Sequence, residues 1–138
     1  MPAATTYSLT PQETVTVVER SRERLVVEGT WTPGGSPPPA HQHPRQDERF
    51  TVLDGEMTIR MAGDERVVRS GDVLDIPRGT VHTMFNSTGA PARMRWETMP
   101  AGRTEDFWIA LSSTSRRNLP KMLLALFRFR DTFRLARG

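Results

Sequence analysis

The chain has 138 residues and a mass of 15.6 kDa, the length of one domain, enough to bury about two-thirds of its unfolded surface. It contains no cysteine, which excludes disulfide scaffolds, zinc–thiolate centres and cysteine nucleophiles, and points to a cytoplasmic protein. The net charge of +3 comes from the tail, where residues 116–138 hold seven basic side chains against Asp131; with no basic–aromatic groove elsewhere, no nucleic-acid partner is expected.

From about residue 14 to 99, short β-type runs alternate with turn residues. The predicted strands are 14–19, 24–31, 48–53, 56–61, 65–68, 72–76, 81–85 and 92–98. A proline-rich loop, 33–39, separates the second from the third. Asp54-Gly55, between two such runs, predicts a two-residue hairpin. Eight strands spaced near ten residues imply a sandwich or barrel. After residue 100 the period changes. Thr104 is placed to cap a short helix over 105–111, and Met122, Leu126, Phe129 and Phe133 share one helical face behind Pro120. This stripe, with Phe107, Trp108, Leu111, Leu123 and Phe127, predicts a helical cap on the barrel over 104–135, on its outer face or across one mouth. The N-terminus lacks signal-peptide character, and no run approaches the ~20 apolar residues that cross a bilayer, so membrane association is not expected.

The three histidines of the chain are His41, His43 and His82. On an extended strand His41 and His43 point to one face. Imidazole nitrogen suits zinc, copper, iron and nickel, and Glu48 can add a carboxylate oxygen. Such a set leaves two positions open on a six-coordinate ion, as catalytic centres require. No separate Ser-His-Asp set is available once the histidines are used.

Ten positions then match two spaced motifs: Gly35, His41, His43, Glu48 and Gly55, followed by Gly71, Pro77, Gly79, His82 and Asn86. In them the chain resembles the cupin superfamily, in its small single-domain form. The resemblance implies an all-β fold, a double-stranded β-helix or jelly-roll barrel, here over residues 1–100, with a C-terminal α-helical extension over 101–138 in the same domain. It implies one divalent metal ion, Fe, Mn, Ni or Zn, held by His41, His43, Glu48 and His82. Asp47 fits a shorter form of the first motif, but the spacing to Gly55 favours Glu48. Gln46, Phe50, Met84 and Asn86 are expected near the metal or in the pocket, Phe50 and Met84 by strand alternation. Arg60, Arg93, Arg95 and Glu97 are expected to face solvent.

The implied function is a metal-dependent enzyme acting on a small organic molecule, either a dioxygenase or a Lewis-acid isomerase, cyclase or decarboxylase. The alternative is a non-catalytic module that binds a small molecule. A homodimer is expected, with the run Val15–Val18 adding to the partner's sheet.

Overall fold

The computed structural model describes residues 4–34, 37–112 and 118–136. Gly35 of the first motif, and Arg116, Arg117 and Arg137 of the basic tail, lie outside the described residues. Two antiparallel sheets face each other. One has six strands: β1 (Thr6–Ser8), β2 (Glu13–Arg20), β3 (Leu25–Trp31), β5 (Asp47–Asp54), β8 (Val73–Ile76) and β10 (Ala92–Met99), ordered β1-β2-β3-β10-β5-β8. The other has five: β4 (His41–Gln42), β6 (Glu56–Met61), β7 (Asp64–Arg69), β9 (His82–Phe85) and β11 (Arg134–Leu135), ordered β11-β4-β9-β6-β7. The sheets do not close into one continuous hydrogen-bonded cylinder.

Each predicted strand is present within one or two residues. The three missed strands, β1, β4 and β11, are two or three residues long, too short to show a period. Alternation fixes the core: Glu48, Phe50 and Val52 of β5 point inward while Arg49 and Leu53 are exposed, and on β8 Leu74 and Ile76 are buried while Val73 is not. They meet Met57, Ile59 and Met94, each buried apolar side chain contributing about 1.5–3 kcal/mol.

Three expectations change. Asp54-Gly55 is not a hairpin, because β5 and β6 belong to different sheets. It is the corner where the chain crosses between them. Gly55 sits there at φ +79°, and a Cβ would lie 2.7 Å from the Pro91 carbonyl oxygen. The two-residue hairpin is at Ala62-Gly63, both at positive φ, between β6 and β7. Val15–Val18 is not a free edge. β3 pairs with β2 on one side, and on the other β1 pairs with Thr14–Thr16 while Val17 N–H donates to Thr5 O.

The third change is in the C-terminal segment. α1 (Thr104–Ser112) begins on Thr104 itself, with Glu105 and Asp106 in its first turn, where carboxylates suit the helix dipole. α2 (Leu119–Arg128) starts with Asn118 accepting from Lys121 N–H and Pro120 in the first turn. The helix stops at Arg128, and Phe129 is buried beyond it. The next residues turn, and Arg134–Leu135 leave helical geometry to pair with β4 as β11. Backbone pairing at a sheet edge thus overrides the helical period that ran on to Phe133. Leu123 and Phe127, expected in the packed face, are exposed together with Leu119 and Leu124; Ala125 is the buried residue of α2. No helix among the described residues is long and apolar enough to cross a membrane.

Candidate metal centre

The fold brings the three histidines together from separate segments. β4 and β9 are neighbours, and His41 lies directly opposite His82. His43 follows one residue after β4, where its carbonyl accepts from Gly79 N–H, so the turn before β9 anchors the loop after β4. The ligating atoms of His41, His43 and His82 all lie within 4.8 Å of one another.

Each ring is oriented by the backbone. His41 Nδ1 lies 3.1 Å from Pro39 O, His43 Nδ1 2.9 Å from Thr132 O, and His82 Nδ1 2.9 Å from Thr80 O. A carbonyl oxygen can only accept, so each Nδ1 carries the hydrogen and, in the neutral ring, Nε2 carries the lone pair. Carbonyl-anchored imidazoles of this kind are the usual form of histidine ligation.

Glu48 reaches the cluster from the opposite sheet. Its Oε1 is 3.2 Å from Nε2 of both His43 and His82, yet the angles make no hydrogen bond, and this buried oxygen is left without a partner. Its Oε2 accepts a 2.8 Å bond from Trp96 Nε1–H. An orphaned carboxylate oxygen beside three imidazoles fits a divalent cation, which would satisfy it.

The electrostatics agree. Burial, then the neighbouring His82 and His43, push His41 down to about 4, so it is neutral at pH 7. Burial opposes the charge on Glu48, but His43 and His82 outweigh it and hold the carboxyl below its ordinary range. For His82 burial works downward and Glu48 upward, with a net rise. The carboxylate is thus ionised in the folded chain.

The cluster lies in the wall of a cavity of about 210 Å³. Phe50, Met84 and Trp96 line it from the sheets, Phe107, Trp108 and Leu111 from α1, and Phe133 from the chain after α2. Phe133 stacks on His41, with centroids 4.6 Å apart and planes 26° apart. The C-terminal segment therefore lies across the mouth of the barrel rather than on its outer face, and it also supplies the carbonyl that holds His43.

Phe50 and Met84 line the cavity as alternation requires. Gln46 does not line it. It lies one residue before β5, buried, and its Nε2 faces Pro100 O, Ala101 O and Thr104 Oγ1, so the side chain ties the start of β5 to the start of α1. Asn86 braces a turn, donating to Trp31 O and Ala90 O and accepting from Thr88 N–H. Asp47 faces out and binds Arg78, far from a ligating role. Arg60, Arg93, Arg95 and Glu97 are absent from the lining, and Glu97 is largely buried against Arg24. Sequence reasoning misses Trp96, Thr132, Phe133 and Glu13 at this site. Thr132 acts through its carbonyl, which no side-chain pattern reveals. Glu13 carries a signal, since it shares phase with Val15 and Val17 on the inward face of β2.

A model of the cupin domain matches residues 27–98. A germin-like protein 3-3 of Oryza sativa is 40% identical over 72 residues, covering 46% of this chain and 31% of that protein. Oxalate oxidase 2 of Hordeum vulgare is 39% identical over 72 residues, covering 46% of this chain and 32% of its own. The chain therefore spans about a third of the length of these relatives. Among solved structures, KdgF from Halomonas superposes with a TM-score of 0.66 at 19% identity, covering 73% of this chain and 90% of that one. An oxalate oxidase superposes with a TM-score of 0.55 at 29% identity, covering 66% and 53%.

Proposed function

The chain belongs to the cupin family, and from that premise we propose that it is a divalent-metal-dependent enzyme acting on a small organic molecule held in the cavity beside the histidine cluster. One observation carries the reading: three imidazoles, each with Nδ1–H tied to a carbonyl, converge on a buried carboxylate oxygen that no protein group satisfies. His41, His43, His82 and Glu48 would hold the ion. Bound there, it would supply Lewis acidity or an open position for O2. Trp96 keeps Glu48 in place and Phe133 holds the plane of His41. The aromatic walls exclude water, which strengthens every polar contact made inside. Relatives that are oxalate oxidases support an oxidative reaction.

The test is metal analysis of purified wild-type and His82→Ala protein, with oxygen uptake measured over a panel of small organic substrates. One ion per chain is expected in the wild type and none in His82→Ala, whose barrel stays folded. Full metal content in folded His82→Ala would refute the ligand set. Metal-dependent turnover with no oxygen uptake would move the reaction to the Lewis-acid class. A homodimer is proposed on the sheet edges β1 and β8 and is read by light scattering, with a mass near 15.6 kDa counting against it.

A further inference from the structure

At its inward end β2 carries an acid. Glu13 lies directly across from Trp31 in the β2–β3 pair, and its Oε2 accepts a 2.6 Å bond from Trp31 Nε1–H. The other oxygen, Oε1, has no hydrogen bond among the described residues. Glu13 lines the cavity beside the histidines and also a larger outer hollow of about 930 Å³. Among the described residues it is the one charged side chain common to both walls, so it sits at the neck between them.

Burial drives the Glu13 carboxyl up to about 7; the Trp31 bond opposes this and the charge of Glu48 adds to it. Around the cavity, the titratable groups facing it are Glu48 of β5, His41 of β4, His43 just beyond β4 and His82 of β9. β3 presents Trp31, the β1–β2 turn Leu9 and Thr10, and α1 Phe107, Trp108 and Leu111, none of them titratable. Tyr7 of β1 and Glu105 of α1 bind each other outside the lining. With Trp31 occupying Oε2, the acid form places its proton on Oε1, toward the open space.

The cavity itself limits what can enter. An apolar cavity of about 150 Å³ takes a benzene molecule, so the 210 Å³ here accommodates one ring with small substituents. No Arg or Lys among the described residues lines either space. A dianion would meet Glu48 and Glu13 with no side-chain cation to pair it, an arrangement that burial makes costly.

We propose that Glu13 reads the end of the substrate remote from the histidines, donating from Oε1–H to an acceptor oxygen on a neutral, single-ring organic molecule lying between Trp31, Phe50, Trp96 and Phe107. The proposal deepens the functional reading above and rests on it for which end of the molecule faces the ion. All three tryptophans of the chain line this cavity, Trp31 at its boundary with the outer hollow, so intrinsic fluorescence reports on binding there.

Acetophenone, neutral with one acceptor oxygen, is titrated into wild-type, Glu13→Gln and Glu13→Ala protein at pH 6 and pH 9, metal-free and zinc-loaded, with ethylbenzene and oxalate as comparison probes. A carboxyl titrating near 7 is about 1% protonated at pH 9. Wild-type affinity for acetophenone should therefore fall at least tenfold from pH 6 to pH 9. Glu13→Gln, whose amide donates at either pH, should keep the pH 6 affinity at both, and Glu13→Ala should be weak at both. Ethylbenzene should bind independently of pH, and oxalate should not bind the metal-free protein. An equal pH dependence in Glu13→Gln and wild type, no acetophenone binding at pH 6, or tighter binding of oxalate in metal-free protein would each overturn the proposal. Glu13-dependent binding in a protein that takes up no metal would instead refute the metal reading and leave this one standing.

Discussion

Trp96→Phe separates the support of Glu48 from the packing around it. Phenylalanine keeps a ring between Phe50 and Trp108, whose centroids lie 5.1 and 5.2 Å from that of Trp96, but removes the 2.8 Å bond to Glu48 Oε2. A hydrogen bond to a charged group contributes about 1.5–3 kcal/mol. In the metal-free protein both Glu48 oxygens would then be buried without a hydrogen-bond donor. The smaller ring leaves a void that adds about 1 kcal/mol. The expected loss is about 3 kcal/mol, or a fall in Tm of about 10 °C for a domain of this size. The folded Glu48 carboxyl is held below its unfolded value of 4.5. Stability tied to its charge is therefore present above pH 4.5 and lost as pH falls through the lower folded value. The gap between wild type and Trp96→Phe should accordingly be full at pH 7 and shrink in acid. Urea unfolding of both metal-free proteins across this range measures it. A loss below about 1 kcal/mol at pH 7, or a gap that does not change in acid, would refute the claim that the indole holds an ionised Glu48.

Gly55→Ala should destabilise by about 2–4 kcal/mol in thermal or urea unfolding, because the added Cβ meets the Pro91 carbonyl oxygen at 2.7 Å and the Ala92 Cα at 2.9 Å while φ stays positive. Asp47→Asn, at an exposed pair with Arg78, should cost under about 1 kcal/mol and leave metal content unchanged, whereas Glu48→Gln should weaken metal retention during dialysis.

The main strands are legible because each has one face buried in the core, which writes a period of two into the sequence. Glu48, Phe50 and Val52 read as an inward face from alternation alone. The histidine cluster is legible for a different reason: His41, His43 and His82 stand at the histidine positions of the two cupin motifs, and the resemblance implies that the fold brings them together. What stays hidden depends on pairings between distant segments. Asp54-Gly55 has hairpin chemistry, but its strands join different sheets, β5 beside β10 and β6 beside β9, partners that lie far along the chain. Phe133 continues a helical stripe, yet the edge of β4 captures the residues after it. Glu13 is in phase with the inward Val15, but only the fold brings the Trp31 indole to its carboxyl and the cavity to its side.

The closure of the site has a kinetic side. β11 is two residues long and joins β4 across more than ninety positions of sequence, with Ala136 N–H to Ala40 O extending the contact. So short a ladder, bridging so wide a gap, belongs to the part of a protein that opens at low free energy while the rest stays folded. When it detaches, His41 keeps its pairing with His82 on β9 but loses Leu135 on its other side, and the adjoining chain that carries Phe133 and the Thr132 carbonyl is no longer held down beside it. Amide exchange at Arg134–Leu135 is expected to be faster than in the central strands and to report how often this pair opens.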